Sequence, residues 1–327
     1  MKENLPNKHQ ENTPSNGDHF RTVSGHEIRV TGLLGQSNTG LVFRASMSGH
    51  ADSPEDVAVK MLCLSNREGR KVPTSFLKQQ KKSMEAEGKI LSKLSGHPNI
   101  LQLVSSEQVA LPDHSVHKQA LGYLPILVTT IAEEGDLRQR MKAMSQSEKV
   151  RALVDVGDAL TYAHDNNIVH GDVTVANVLF NKYRSVMADW GLADDITTLE
   201  NPNYVPMIRG TLYAIAPERF SGQVTTSNDV YSMGVLMHTL LTGNVPFPDI
   251  AQNDIADYEE AHRLRPFPSL KSLGINAPDL QKVIAAASQK EPDKRPSMRE
   301  VTDQLFTVYL AQENKKSGTV YRSQRPH

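Results

Sequence analysis

His170-Gly171-Asp172 is followed five residues later by Asn177, and twelve residues after that by Asp189-Trp190-Gly191 inside an apolar stretch. Two carboxylates and one amide oxygen on short loops are the ligand types a hard cation such as Mg²⁺ takes, and a carboxylate beyond the ligand set can accept the proton of an attacking hydroxyl. Taken singly, such acids are usually cap or turn residues; their order along the chain makes the chemistry specific. Upstream, Val57-Ala58-Val59-Lys60 places one cation at the end of an apolar strand-like run. That suits a lysine held against phosphate and equally a lysine snorkelling from a sheet edge. Gly35 and Gly40 lie between two strand-like runs, where glycines let backbone N–H groups approach phosphate oxygens. Two glycines in a β-turn, however, need no ligand.

The elements that must carry these residues fall into two groups. From about residue 28 to 128 the runs VTGLLG, GLVFRA, VAVKMLCL, NILQLV and LPILVT read as strands. One helix interrupts them, predicted over about Thr74 to Leu94 with Phe76, Leu77, Met84, Ile90, Leu91 and Leu94 near helical spacing. After Gly135 the period turns helical, beginning where Ser145 and Glu148 have capping-box spacing ahead of Val150, Leu153, Val154 and Leu160. The expected architecture is α+β and two-lobed: a small mainly-β lobe over about 21–131 and a larger mainly-α lobe over about 135–311. Residues 1–20 are polar with two prolines, too poor in apolar groups to offset the entropy of ordering, and read as a disordered tail. Residues 312–327 read as a polar, basic tail.

The 36 basic and 37 acidic residues of this 327-residue chain leave a formal charge of -1, which provides no global field for nucleic acid or an anionic membrane. Cys63 is the only cysteine, so an internal disulfide and a cysteine-based zinc site are excluded. With no apolar stretch of membrane-spanning length, the expectation is a soluble, cytoplasmic protein that neither binds nucleic acid nor inserts in a membrane.

Over roughly residues 28–310 the order of these motifs resembles the eukaryotic-type protein kinase family. The resemblance implies ATP and Mg²⁺ as cofactors. It makes Asp172 the catalytic aspartate, Asn177 and Asp189 the metal ligands, and Lys60 the lysine on the α and β phosphates. Glu87 would position that lysine, with Glu85 a nearby competitor. Gly35 and Gly40 become the outer glycines of a phosphate-covering loop. Val42, Ala58, the gatekeeper Thr129, the hinge residues Thr130 and Ala132, Asp136 and Leu179 would complete the nucleotide site. Asp136 is also a natural helix N-terminal acid. Further on, Ala216-Pro217-Glu218 resembles the end of the substrate-facing loop, Glu218 pairing with Arg295, and Asp229 would anchor His170. Leu91, Leu103, His170 and Trp190 would form an apolar column, although ordinary core packing covers the leucines equally well. The Gly210-Thr211 lead-in is similar to that of serine/threonine kinases, implying protein substrates phosphorylated on serine or threonine, with autophosphorylation.

Four positions depart from the family pattern, one of them Trp190, which stands for the phenylalanine of the metal-binding motif and points to altered regulation. Ser37 stands for the middle glycine of the loop. Thr174 stands where a lysine usually contacts the transferring group, and loss of such a donor costs on the order of 10²- to 10³-fold in rate by analogy with oxyanion donors. Gly171 stands where an arginine usually binds a loop phosphate, so activity independent of phosphorylation at Thr197, Thr198 or Tyr204 is expected, with Arg209 as a candidate substitute partner. A nucleotide-binding pseudokinase scaffold is an alternative on these grounds. A small-molecule kinase is another, because such enzymes use a loop similar to His170-Gly171-Asp172.

Overall fold

The structure is a computed structural model that describes residues 16–37, 40–48, 56–64, 72–111, 113, 115–182, 184–199, 209–251 and 254–317. It divides into two compact units, one comprising residues up to Ser95 with Leu101–Ile131, the other Gly96–Ile100 with Ala132 onward.

The first unit is an antiparallel six-stranded sheet in the order β1-β2-β3-β4-β6-β5. Its strands are β1 (His19–Arg21), β2 (Glu27–Gln36), β3 (Leu41–Ser48), β4 (Val57–Met61), β5 (Leu103–Ala110) and β6 (Tyr123–Thr129). Alternation buries Ile28 and Val30 of β2 and Phe43, Ala45 and Met47 of β3, whereas every residue of the internal strand β4 is buried. Helix α1 (Thr74–Lys93) turns Leu77, Met84, Glu87, Gly88, Ile90 and Leu91 inward. Gly88 sets how closely it can pack, since a Cβ there would lie 2.9 Å from Leu127 Cδ2 and 3.1 Å from Ser106 Oγ.

Three details differ from the sequence reading. NILQLV is not one strand: β5 starts at Leu103, and residues 96–100 join the second unit. There Asn99 donates its amide to Ser185 O at 3.0 Å, and its carbonyl accepts from Met187 N–H at 2.8 Å. A second, four-residue helix, α2 (Lys118–Leu121), also lies in the region read as having one. Strand β1 begins at His19, inside the segment read as a tail, because Asp18 and Gly17 pair with the backbone of Val30 and extend the sheet edge.

The second unit contains helices α3 (Leu137–Arg140), α4 (Gln146–Asp165), α5 (Thr226–Thr242), α6 (Ile255–Leu264), α7 (Pro278–Ala287) and α8 (Met298–Ser317), together with the short pairs β7 (Ile168–Val169) with β10 (Asp194–Asp195) and β8 (Val178–Asn181) with β9 (Arg184–Met187). Ser145 and Glu148 close the predicted capping box at the start of α4. Gly157 lets α4 and α8 meet closely, since a Cβ there would lie 2.4 Å from Thr302 Oγ1. Helix α5 buries nearly all of its length, which is why its sequence reads apolar on every side. Helix α8 continues to Ser317, past the boundary at 311 drawn from composition.

Candidate active site

In the sheet unit, β4 presents Lys60 and α1 presents Glu87, both buried. The Lys60 ammonium donates to Oε1 and Oε2 of Glu87, each at 2.8 Å. Glu85, two residues away and turned off that face, accepts instead from the Tyr123 hydroxyl at 3.1 Å. Of the two candidates, it is thus Glu87 that faces Lys60. Val42 is opposite Lys60 in the β3–β4 register and Ala58 opposite Thr129 in the β4–β6 register. Thr129 is buried, and Thr130 donates its N–H to Gln102 O at 3.0 Å. Gly35 pairs with Val42 at the end of β2. Gly40 has a structural reason of its own, because a Cβ there would lie 2.0 Å from the carbonyl oxygen of Met61. Ser37 donates its N–H to Gly40 O at 2.8 Å.

In the helical unit, β7 runs directly into His170-Gly171-Asp172. Asp229, at the buried start of α5, accepts the N–H of His170 at 2.8 Å and of Gly171 at 2.9 Å, and pairs with His164 at 2.9 Å. Burial opposes this charge, but the hydrogen bond and charge of His164 outweigh it and keep the Asp229 carboxyl below its ordinary range. The predicted anchor is therefore present, and His164 is an added member that sequence reading did not single out.

Both oxygens of Asp172 are held. The Asn177 amide donates to Oδ2 and to the backbone carbonyl of Asp172, each at 2.8 Å. Thr211 donates its N–H at 2.9 Å and its hydroxyl at 2.7 Å to Oδ1. With the amide nitrogen spent in this way, the side-chain oxygen is the Asn177 atom that could hold a cation. Asp189, at φ 55° in the left-handed region, follows β9 and precedes the turn that starts at Trp190. Among the described residues no group of three or more His, Cys, Asp or Glu could hold a metal by itself. The donor set fits an ion of the Mg²⁺ type, which takes one or two carboxylates and completes its shell with water and phosphate oxygens.

Around this loop the structure adds Tyr213, Arg138 and Arg219, which the motifs do not reveal. Gly171 has φ 76°, and a Cβ on it would lie 2.9 Å from Leu192 O and 4.0 Å from Nη2 of Arg219. Thr174 is buried. The Tyr213 phenol is raised by burial and by the charge of Asp172, with Arg138 and a hydrogen bond to Thr174 partly offsetting this. Trp190 is buried with its ring centroid 4.5 Å from that of His170. Asp136 caps α3 by accepting Gln139 N–H at 3.1 Å and pairs with Arg138 at 2.7 Å, so the helix-terminal role is the one it fills here. Its backbone forms an isolated bridge with Leu179. Ala132 is the first residue of this unit after the division. Farther from the loop, Arg295 grips Glu218 with two bonds of 2.6 and 2.9 Å, as expected.

The sheet unit holds a buried lysine–glutamate pair, and the helical unit holds an aspartate braced on both oxygens. The family model of the protein kinase domain matches residues 28–307, and the chain belongs to that family. It is 27% identical over 263 residues to the serine/threonine-protein kinase PknB of Mycobacterium leprae, covering 79% of this chain and 39% of that protein. It is 30% identical over 300 residues to the serine/threonine-protein kinase PLK4 of Drosophila virilis, covering 88% of this chain and 34% of that one. A similarity of 25% over 292 residues links it to the tyrosine-protein kinase receptor TYRO3 of Danio rerio, covering 85% and 31%. The chain thus spans about a third of the length of these relatives, and both acceptor classes occur among them. Among the described residues no helix is long and apolar enough to cross a membrane.

Proposed function

We propose that this chain is an ATP- and Mg²⁺-dependent protein kinase that phosphorylates serine or threonine of protein substrates, itself included, in the cytoplasm. The observation that carries this reading is the pair of hydrogen bonds that Thr211 donates, from its N–H and its hydroxyl, to Asp172 Oδ1. It ties the segment that ends in Ala216-Pro217-Glu218 to the carboxylate that must face an incoming hydroxyl. The hydroxyl oxygen attacks the γ-phosphorus, the bond from that phosphorus to the β,γ-bridging oxygen breaks, ADP departs, and Asp172 takes the hydroxyl proton. Lys60, fixed by Glu87, is suited to the α and β phosphates. Asn177 and Asp189 would hold the Mg²⁺, whose contribution is to neutralise charge on the phosphates.

A slow enzyme or nucleotide-binding scaffold is the second reading, and Thr174 favours it. Buried beside the Tyr213 phenol, it offers no cation to the transferring group. Incubation with ATP labelled at the γ-phosphate, Mg²⁺ and generic protein acceptors separates the readings, with Asp172→Asn as control. The proposal expects labelled phosphoserine or phosphothreonine on the acceptors and on the chain itself, abolished in the control. Nucleotide binding without transfer supports the scaffold, and phosphotyrosine alone overturns the acceptor assignment.

A further inference from the structure

Two arginines converge on one buried aspartate beside the catalytic loop. Asp194 sits in β10 opposite Val169, the residue that leads into His170. Arg209 reaches its Oδ1 with Nη2 at 2.7 Å, and Arg219 reaches its Oδ2 with Nη1 at 3.4 Å. The first is a charge-assisted bond of ordinary length and the second lies beyond that range. Arg219 is almost wholly buried, and neither its Nη2 nor Nε of Arg209 has a hydrogen-bond partner among the described residues. The carboxylate is therefore in short supply, and its better bond goes to the arginine nearer in sequence to Thr211.

The two residues after Arg209 give that preference its importance. Gly210 has φ 110°, and a Cβ on it would lie 2.7 Å from Gly171 O, so only glycine lets the chain press against the catalytic loop at this point. Thr211, next in the chain, makes its two bonds to Asp172. The short stretch 209–211 is thus tied at both ends, to Asp194 and to Asp172. Asp194 pairs with β7, and Asp172 lies on the loop that β7 leads into. Resting on the kinase reading above, we propose that Arg209 is a positioning residue for phosphoryl transfer: by clamping Asp194 it holds Thr211 against the Asp172 carboxylate. The clamp pairs a loop cation with a core anion and involves no phosphate. Arg209, weighed from sequence as a phosphate receptor, is already engaged.

The test compares Arg209→Gln, Arg209→Lys, Thr211→Val and the Arg209→Gln/Thr211→Val pair in the full chain, measuring kcat, KM for Mg-ATP and hydrogen exchange of the Thr211 amide. Loss of one charge-assisted bond corresponds to about a tenfold effect. Arg209→Gln should lower kcat about tenfold, leave KM for Mg-ATP within about twofold, and speed exchange of the Thr211 amide about tenfold. Arg209→Lys should recover most of both. Because Arg209 acts through Thr211, the double variant should fall no more than about threefold below Thr211→Val alone. Losses that multiply in the double variant, or a Thr211 amide whose exchange is indifferent to Arg209→Gln, overturn the proposal. If the natural chain transfers no phosphate, the kinase reading fails, and the amide exchange alone decides whether the clamp holds Thr211.

Discussion

The side-chain amide nitrogen of Asn177 donates to Asp172 twice, to the Asp172 carboxylate and to the Asp172 backbone carbonyl, so one residue orients the aspartate through both its side chain and its main chain. The proposed function gives Asp172 and Asp189 separable duties. Asp172→Asn should leave Mg²⁺-dependent nucleotide affinity within about threefold while transfer falls by at least about 10³-fold, the scale of a lost general base and its hydrogen bonds. Asp189→Ala should instead abolish the Mg²⁺-dependent part of binding. Titration of each variant with and without a chelator measures this, and equal loss of affinity in both would sink the division of roles.

Trp190 is the only tryptophan of the chain, buried against His170, with its indole N–H directed at Met187 O at 3.4 Å. It adjoins Asp189, so its emission should change when Mg-ATP binds and change less with ATP and a chelator. A spectrum indifferent to saturating Mg-ATP, in a chain shown by another method to bind it, would contradict this placement of the metal ligand.

Arg295 also donates to the carbonyls of Gln289, Ser227 and Lys290, and Glu218 accepts from Asn228 as well. Removing one partner of so buried a pair strands the other. Arg295→Ala should cost about 3–5 kcal/mol, whereas replacing both members by apolar residues of similar volume should cost less than the sum of the single changes. Urea unfolding of the four proteins measures the difference, and strict additivity would refute it.

How far the sequence reveals these features depends on the range of the contacts. The Ser145–Glu148 box and the choice of Glu87 over Glu85 are legible because both sit within one helix, where spacing alone decides which side a residue faces. Thr211 to Asp172 and Arg209 to Asp194 join residues far apart in sequence, brought together by the β7–β10 pairing; no local pattern announces them. The Gly-Thr lead-in marks Thr211 as notable without saying what it touches. The start of NILQLV is misread for a related reason, since Ile100 and Leu101 look like part of a strand while Asn99 bonds to Ser185 and Met187 of β9.

Burial pushes His262 down to about 4 from an ordinary 6.5, against the help of its bond to Leu212 O and with Lys290 adding repulsion. Its ring also bonds the Tyr231 hydroxyl at 2.8 Å. The unfolded chain takes up a proton below about 6.5 and the folded chain does not until about 4, so this contribution is complete above 6.5 and lost as the pH falls between those values. Between pH 7 and 5 it amounts to about 2 kcal/mol. His262→Gln should show a decline in stability with falling pH that is shallower by about that amount; parallel pH profiles would refute the assignment.

Thr197 and Thr198 bond to Asp195 through their hydroxyls, at 2.6 and 2.7 Å, and Tyr204 lies outside the described residues. Since the Arg209–Asp194 clamp uses no phosphate, the triple change Thr197→Ala, Thr198→Ala, Tyr204→Phe should lower the rate less than about threefold. A tenfold loss restored by an acidic residue at one of these positions would show the opposite.

Gly171 also bears on what this lineage can become. A side chain at that position must accept a left-handed backbone, at about 1–2 kcal/mol, and displace Leu192, and it would enter space next to the Arg219 guanidinium. An arginine installed there by one mutation would meet a like charge already in residence. A phosphate-reading arginine at 171 would therefore demand an accompanying change at 219, so no single substitution at this position supplies one.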